Sequence, residues 1–392
     1  MTGAARAPKV LHLTTTDMSL DWLLRPQLEA FAVAGYDVVG ASAPGCHVDS
    51  LTASGIRHVS VQHLTRAMRP ADDVQAFREL TALFRAERPD IVHTHNPKPG
   101  VLGRLAARRA GVPAVVNTVH GLYAQPTDPL ARRLFVYGLE RLAATCSRME
   151  LVQNPEDVAA LVRIGVPADR VRLLGNGVDL DRFRADRFDR AEVLRRRDAL
   201  GIARDAVVCG VVGRLVVEKG YREVLAAAHR LAGEASHIRL VVVGPSEPDK
   251  ADAVPPALIE QARDDGVVFL GSRDDMEELY PLFDLYLLAS YREGFPRSAM
   301  EAAACGLPLI VTDIRGGRQV VDPDVSGRLV PVGDSDAIVE AIRDLAEDGD
   351  RRRLMGRRSL IKARSEFDQQ LQIDRTLALY RELVGSPLTT AA

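Results

Sequence analysis

Short runs rich in β-branched residues alternate with longer amphipathic stretches along the whole chain, and this alternation is interrupted once before it starts again. Such a pattern belongs to repeated βα units laid on a parallel sheet. In the first half, strands are expected at 10–14, 37–41, 57–61, 91–95, 114–118, 150–152 and 171–174. Helices are expected at 23–34, 72–87, 100–110, 130–146 and 155–164, with Gly35 and Gly111 as C-terminal stops. The interruption is an arginine-rich stretch at 184–204 with little β character, read as a linker carrying a short helix. The second half then repeats the alternation, with strands at 207–212, 238–243, 267–269, 284–288 and 308–311. Its helices are expected at 221–231, 256–264, 276–283, 300–304 and 335–346.

A chain of 392 residues is longer than one hydrophobic core usually supports, so two domains are expected. The reading is an N-terminal domain at 1–183, the linker at 184–204 and a C-terminal domain at 205–369, with a terminal helix at about 370–388 returning to the first domain. Both are α/β, doubly wound and Rossmann-like. Ligands of open α/β sheets bind beyond the carboxyl ends of the strands, so two such domains facing each other would make one deep cleft.

Several classes are disfavoured. The net charge of −2 gives no general attraction to nucleic acid. No apolar run approaches the roughly 20 residues of a membrane span, and the N-terminus has no signal-peptide core, so a cytoplasmic location is expected. Cys46, Cys146, Cys209 and Cys305 stand far apart with no C-x-x-C pair, as reduced structural thiols do. No G-x-G-x-x-G follows the first strand, against an NAD-dependent dehydrogenase. Charge is uneven, however: residues 98–148 carry eight basic side chains against two acidic ones, Asp128 and Glu140. That stretch is either a solvated helical face or a surface that meets anionic lipid or a phosphate-bearing acceptor, and it raises peripheral contact with the inner face of a membrane.

Candidate chemistry concentrates in the second half. Gly213-Arg-Leu-Val-Val-Glu-Lys219-Gly lies between an expected strand and an expected helix, where side chains reach a ligand. Arg214 can grip two diphosphate oxygens in a fork while Lys219 acts as a point charge. The richer signal is Tyr291-Arg-Glu293-Gly294-Phe295-Pro296-Arg-Ser-Ala-Met-Glu301-Ala-Ala-Ala-Cys-Gly306-Leu-Pro308. Pro296 suits the first helical position, Ser298 the first turn, and Gly306 with Pro308 the end. The N-terminus of that helix would offer N–H groups to an anion, and Glu293 and Glu301 would reach different parts of one ligand.

The E-x7-E arrangement of Glu293 and Glu301 within EGFPRSAMEAAACGLP, together with GRLVVEKG, resembles the donor site of retaining GT-B glycosyltransferases of glycosyltransferase family 4. The resemblance runs through nearly the whole chain, in HTHNPKPGVLGRLAARRAGVP, NTVHGLY, LLGNGVDLDRF, VVVGP, VVFLGSRDDMEELYPLFDLYLLASYREGF and SGRLVPVGDSDAI, and is to bacterial capsular and exopolysaccharide enzymes. It implies that Arg214 and Lys219 bind the donor diphosphate, Glu301 the ribose and Glu293 the sugar hydroxyls. Gly271 and Arg273 would border the base, and Gly213, Gly294, Phe295 and Pro296 would complete the donor site. It also implies that His120, after 115–119 and before Gly121, approaches the donor sugar and hydrogen-bonds it.

The expected reaction is retaining transfer of a hexose or N-acetylhexosamine from a nucleoside diphosphate sugar, UDP before GDP, to a hydroxyl of a glycan, polyprenyl-linked or small-molecule acceptor. Two rival readings carry the same features: a sugar-nucleotide 2-epimerase of GT-B architecture, and a non-catalytic sugar-nucleotide-binding protein. His93 and His95, with His12 or His120 as a third, have the makings of a metal site, but no carboxylates accompany them. No metal and no cofactor are expected. Thr15, Thr16, His95, Asn96 and Lys98 are placed on the acceptor side, with Lys98 facing an acceptor phosphate. The first loop, Leu13-Thr-Thr-Thr-Asp-Met-Ser, lacks the glycines that related enzymes often have there.

Overall fold

Parallel neighbours need a crossover, usually a helix, and the helices between strands here cover both faces of two sheets. In the computed structural model the described residues are 6–95, 97–124, 128–235 and 237–385. They form two units, one of Met1–Gly175 with Leu371–Ala392 and one of Asn176–Gln370.

Unit 1 contains β1 (Lys9–Thr16), β2 (Asp37–Ala43), β3 (Arg57–Ser60), β4 (Ile91–His95), β5 (Ala114–Val119), β6 (Met149–Val152) and β7 (Val171–Leu173). All pair in parallel, in the order β3-β2-β1-β4-β5-β6-β7. The order reverses between β1 and β4, so the switch point lies at their carboxyl ends. One buried cluster gathers Leu28, Phe31, Tyr36 and Val116 with Ile373, Leu377 and Tyr380 of the C-terminal helix Gln369–Val384. A second, on Leu11, Val39, Leu80 and Phe84, covers the other face.

Unit 2 contains β8 (Val207–Val212), β9 (Ile238–Val243), β10 (Val268–Phe269), β11 (Leu285–Leu288), β12 (Leu309–Thr312) and β13 (Gly327–Val330), in the order β10-β9-β8-β11-β12-β13. Its switch point is between β8 and β11. Two buried clusters again flank the sheet.

The structure departs from the sequence expectations at specific places. The stretch 184–204 lies inside unit 2. Its helix Arg190–Ala199 is capped by Asp189 and held by the buried Arg197, which donates to the Leu282 carbonyl at 2.9 Å and pairs with Asp284 at 2.9 Å. The charges that suggest a linker are thus fold contacts. The helix expected from residue 23 begins as a π-helical stretch, Ser19–Leu24, before Arg25–Val33. β13 and the helices Val48–Ala53 and Gly349–Glu366 lie outside the elements expected from the sequence. The last of these buries Met355, Gly356, Ser359 and Ala363, mostly small or polar residues that leave little apolar periodicity.

Glu87, at the end of helix Pro70–Glu87, joins two strands by pairing with Arg57 of β3 and with Lys9 of β1 at 3.1 Å. The Arg57 guanidinium, first, and then Lys9 hold its carboxyl down from an ordinary 4.5 to about 2. A depressed carboxylate contributes stability above its unfolded pKa and loses it as pH falls through the folded value. Glu87→Gln should therefore lower stability at neutral pH and flatten the loss between pH 4.5 and about 2. Urea midpoints measured across that window check this; parallel wild-type and variant curves would contradict it.

Candidate active site

The unit 2 site is built on the loops that follow β8 and β11, the two strands flanking its switch point. After β8, Gly213 donates its N–H to the Val243 carbonyl at 2.9 Å and accepts from the Tyr221 hydroxyl at 2.8 Å. The chain then makes a short 3-10 turn, Val217–Lys219, and Gly220 enters helix Tyr221–Glu234 with φ 75°. Gly220 has two reasons to be glycine: the left-handed φ, and a Cβ that would fall 2.0 Å from the Ala289 carbonyl oxygen. That approach presses the Lys219 turn against the end of β11. Tyr291 N–H closes the join on the Glu218 carbonyl at 2.9 Å, and the Thr312 hydroxyl holds the Ser290 carbonyl at 2.6 Å.

These contacts bring Lys219 Nζ within 2.5 Å of Glu293 Oε1, which also accepts from the Ser290 hydroxyl at 2.8 Å. A cation, a carboxylate and a hydroxyl thus converge at the carboxyl end of the sheet. The Arg214 guanidinium pairs with Glu247 at 2.9 Å, and Lys250 reaches the same carboxylate at 2.8 Å. Glu301 has partners of its own. Burial raises its pKa, opposed by Arg297 and by the Tyr280 hydroxyl, whose hydrogen bonds run 3.2 and 2.9 Å.

The helix expected from Pro296 starts at Arg297, with Pro296 as its extended N-cap. Ser298 accepts from the buried Tyr286 hydroxyl at 2.7 Å instead of serving the first turn, because the strand beneath brings that phenol to it. Phe295 sets its ring edge-on to Phe367, and its carbonyl accepts from Asn176 at 3.3 Å. Gly271, at φ 68°, accepts the Gly244 N–H at 2.8 Å, which fixes its loop beside β9. Arg273 pairs with Asp275 at 2.7 Å.

One part of the site was missed. A Cβ on Gly316 would fall 2.7 Å from the Glu293 carbonyl and 2.8 Å from that of Gly294, so the Gly316–Gly317 loop backs the Glu293 loop directly. The Gly-Gly pair after β12 was the available signal.

In unit 1, His120 follows β5 and Gly121 turns the chain at φ 122°. Burial pulls the His120 pKa down to about 4, so the ring is a neutral hydrogen-bonding group at neutral pH. His95 Nδ1 lies 3.2 Å from its Nε2. His12, His93 and His95 are buried with one ring nitrogen each within 4.8 Å of one another, and no carboxylate belongs to that group among the described residues. Thr15 is buried, and the Thr16 hydroxyl lies 3.1 Å from that of Ser19. Asn96 lies outside the described residues. Lys98 is paired in the fold: its ammonium pairs with Asp73 and donates to the Thr65 hydroxyl at 3.1 Å and the Ala67 carbonyl at 2.6 Å.

Comparison with known proteins agrees with this layout. The family model for glycosyl transferases group 1 matches residues 194–360, and that for Glycosyltransferase Family 4 matches residues 21–182. The chain is 30% identical over 333 residues to the UDP-Gal:alpha-D-GlcNAc-diphosphoundecaprenol alpha-1,3-galactosyltransferase of Escherichia coli, covering 84% of each chain. It is 32% identical to a GDP-mannose-dependent alpha-mannosyltransferase of Mycobacterium tuberculosis, over 81% of this chain and 79% of the relative. Among solved structures, Anabaena HepE in complex with UDP and glucose superposes with a TM-score of 0.80 at 20% identity, covering 96% of this chain and all of HepE.

Gly220→Ala should destabilise unit 2 by about 2 kcal/mol or more, since it meets both a left-handed φ and a backbone oxygen. Chemical unfolding monitored by a unit 2 probe measures this; a change under about 0.5 kcal/mol would show that the loop relaxes freely.

Proposed function

The chain belongs to glycosyltransferase family 4, a retaining family of sugar-nucleotide-dependent enzymes with the GT-B fold, and on that premise we propose that it transfers a hexose or N-acetylhexosamine from UDP to an acceptor hydroxyl. The acceptor is proposed to be a glycan or a polyprenyl-linked sugar. The observation that carries the reading is the convergence of Lys219, Glu293 and Ser290 at the switch point of unit 2. The choice of UDP draws on the E. coli relative's UDP-Gal and on HepE's UDP, against the GDP-mannose of the mycobacterial relative.

In this mechanism Lys219 and Arg214 bind the diphosphate, and a diphosphate oxygen replaces Glu293 as the partner of Lys219. Glu293 is then free to accept from sugar hydroxyls. Glu301, an acceptor already oriented by Tyr280 and Arg297, takes the ribose hydroxyls. His120 offers a neutral ring to the transferred sugar. The C1–O bond to the diphosphate breaks as the acceptor oxygen bonds to C1 from the same face, and the acceptor proton passes to the departing phosphate oxygen. The cations stabilise charge as it develops on the leaving group, so most of the rate gain is electrostatic.

Two measurements test this. Lys219→Ala should lower turnover about 100-fold or more, the scale on which removal of a charge-stabilising group acts. UDP-sugars should raise the melting temperature more than GDP-sugars do, since ligand binding stabilises by mass action. Wild-type turnover in Lys219→Ala, or selective stabilisation by a GDP-sugar, would sink the corresponding claim.

A lipid-borne acceptor is favoured by the helix Leu130–Ala144. Leu130, Leu134, Phe135 and Leu142 are each more than half exposed on it, with Arg132 and Arg141 beside them. No helix among the described residues is long and apolar enough to cross a membrane. Exposed apolar side chains flanked by arginine suit the surface of an anionic bilayer. Replacing Leu134 and Phe135 together by Ser should weaken co-sedimentation with anionic vesicles by roughly tenfold or more. Equal binding by variant and wild type would return this face to ordinary solvent.

A further inference from the structure

Beneath the acceptor-side loops of unit 1 runs a file of uncharged side chains joined end to end. β1 and β4 pair with His12 opposite His93, and the two-residue period of a strand puts His95 on the same face as His93. From one end, the Thr118 hydroxyl lies 2.7 Å from His93 Nε2, and His93 Nδ1 hydrogen-bonds the Tyr380 hydroxyl. That hydroxyl lies 3.2 Å from His12 Nε2, His12 Nδ1 lies 3.0 Å from His95 Nε2, and His95 Nδ1 lies 3.2 Å from His120 Nε2. The side chain of Gln153 also hydrogen-bonds the His120 ring.

A neutral imidazole has one N–H and one bare nitrogen, and a phenol has one proton. Burial keeps the rings neutral: it lowers His12 to about 3 and His120 to about 4, pushes His93 and His95 well below the ordinary value, and raises Tyr380. Every internal link needs one proton and one lone pair. Once one ring chooses its tautomer, each neighbour is therefore forced to follow. With Tyr380 donating to His12, all four histidines carry Nδ1–H; with Tyr380 donating to His93, all four carry Nε2–H. Thr118 and Gln153 can each donate or accept, so the ends admit either sense.

We propose that His93, Tyr380, His12 and His95 are positioning residues that couple the tautomer of His120 to their own, so that the direction in which Tyr380, on the C-terminal helix, gives its proton and the tautomer of His120 are set together. The role of His120 rests on the function proposed above; the shared tautomer does not. A metal would compete for the same ring nitrogens, because each link uses them in a hydrogen bond. The link through Tyr380 ties residue 380 to residue 120 through two strands and no charge.

Two-bond proton–nitrogen correlation on the full-length, nitrogen-15-labelled protein separates Nδ1–H from Nε2–H rings, with single His→Gln variants giving the assignments. His12, His93, His95 and His120 should show one common tautomer. One ring in the opposite tautomer, an imidazolium among the four at neutral pH, or stoichiometric uptake of Zn(II) that shifts these signals overturns the proposal. Tyr380→Phe keeps the aromatic ring but removes the link. It should leave the His93 tautomer independent of the other three and cut kcat roughly tenfold at unchanged donor KM, the scale on which loss of a hydrogen-bond partner that orients a histidine acts. A His93 that still shares the tautomer of His120, with full turnover, in that variant also overturns it. A common tautomer in a protein whose His120→Ala variant is fully active counts instead against the site role of His120.

Discussion

A missing side chain organises unit 2 of this protein. Gly220 meets the carbonyl of Ala289 at a distance where no other residue fits, and everything around Lys219 follows from that approach. The turn after β8 is pressed onto the loop after β11, Tyr291 and Glu218 join their backbones, and the ammonium of Lys219 reaches the Glu293 carboxylate. Gly316 repeats the device from the far side, where the Gly316–Gly317 loop supports the carbonyls of Glu293 and Gly294. The Lys219–Glu293 group is thereby held by backbone, and the charged side chains that would exchange partners with the proposed diphosphate stand on a fixed frame.

Charge is handled differently in the two units. Unit 2 keeps its candidate site charges partly exposed and paired, as with Arg214 and Glu247 or Lys219 and Glu293, where a ligand can replace one partner without leaving a buried charge alone. Unit 1 buries polar groups in its sheet and keeps them satisfied. Arg104, fully buried, pairs with Glu140 and Glu150 at 2.7 Å each, while Asn117 donates to the second oxygen of Glu150. The histidines of β1 and β4 take the other solution and shed charge altogether. Lys98, Arg104 and Arg132, all in the basic stretch at 98–148, pair with carboxylates of the fold. The stretch is consequently less cationic on its surface than its composition suggests.

Local signals were legible where the physics is local. The alternation of strand and helix, the stops at Gly35 and Gly111, and the strand-loop-helix contexts of Lys219 and Glu293 all depend on near neighbours. The helix Gly349–Glu366 escaped because its buried positions are small or polar, so its inward face carries little contrast in hydropathy. The membership of Arg190–Ala199 in unit 2 escaped because Arg197 reads as a surface charge until Asp284 and the Leu282 carbonyl, far along the chain, are seen to meet it.

The sequence by itself therefore determined the class of fold, two doubly wound units each with its ligand side at the strand ends, and the family to which the donor motif belongs. Those properties rest on periodicity and on spacing within one turn or one loop. Tertiary structure decided which charges pair. It set Lys219 on Glu293, turned Arg214 toward Glu247, withdrew Lys98 into the fold, and threaded Tyr380 between His93 and His12. Hydrogen bonds and ion pairs act over a few ångströms of space, and no spacing along the chain encodes which residues, tens to hundreds of positions apart, packing will bring within that reach.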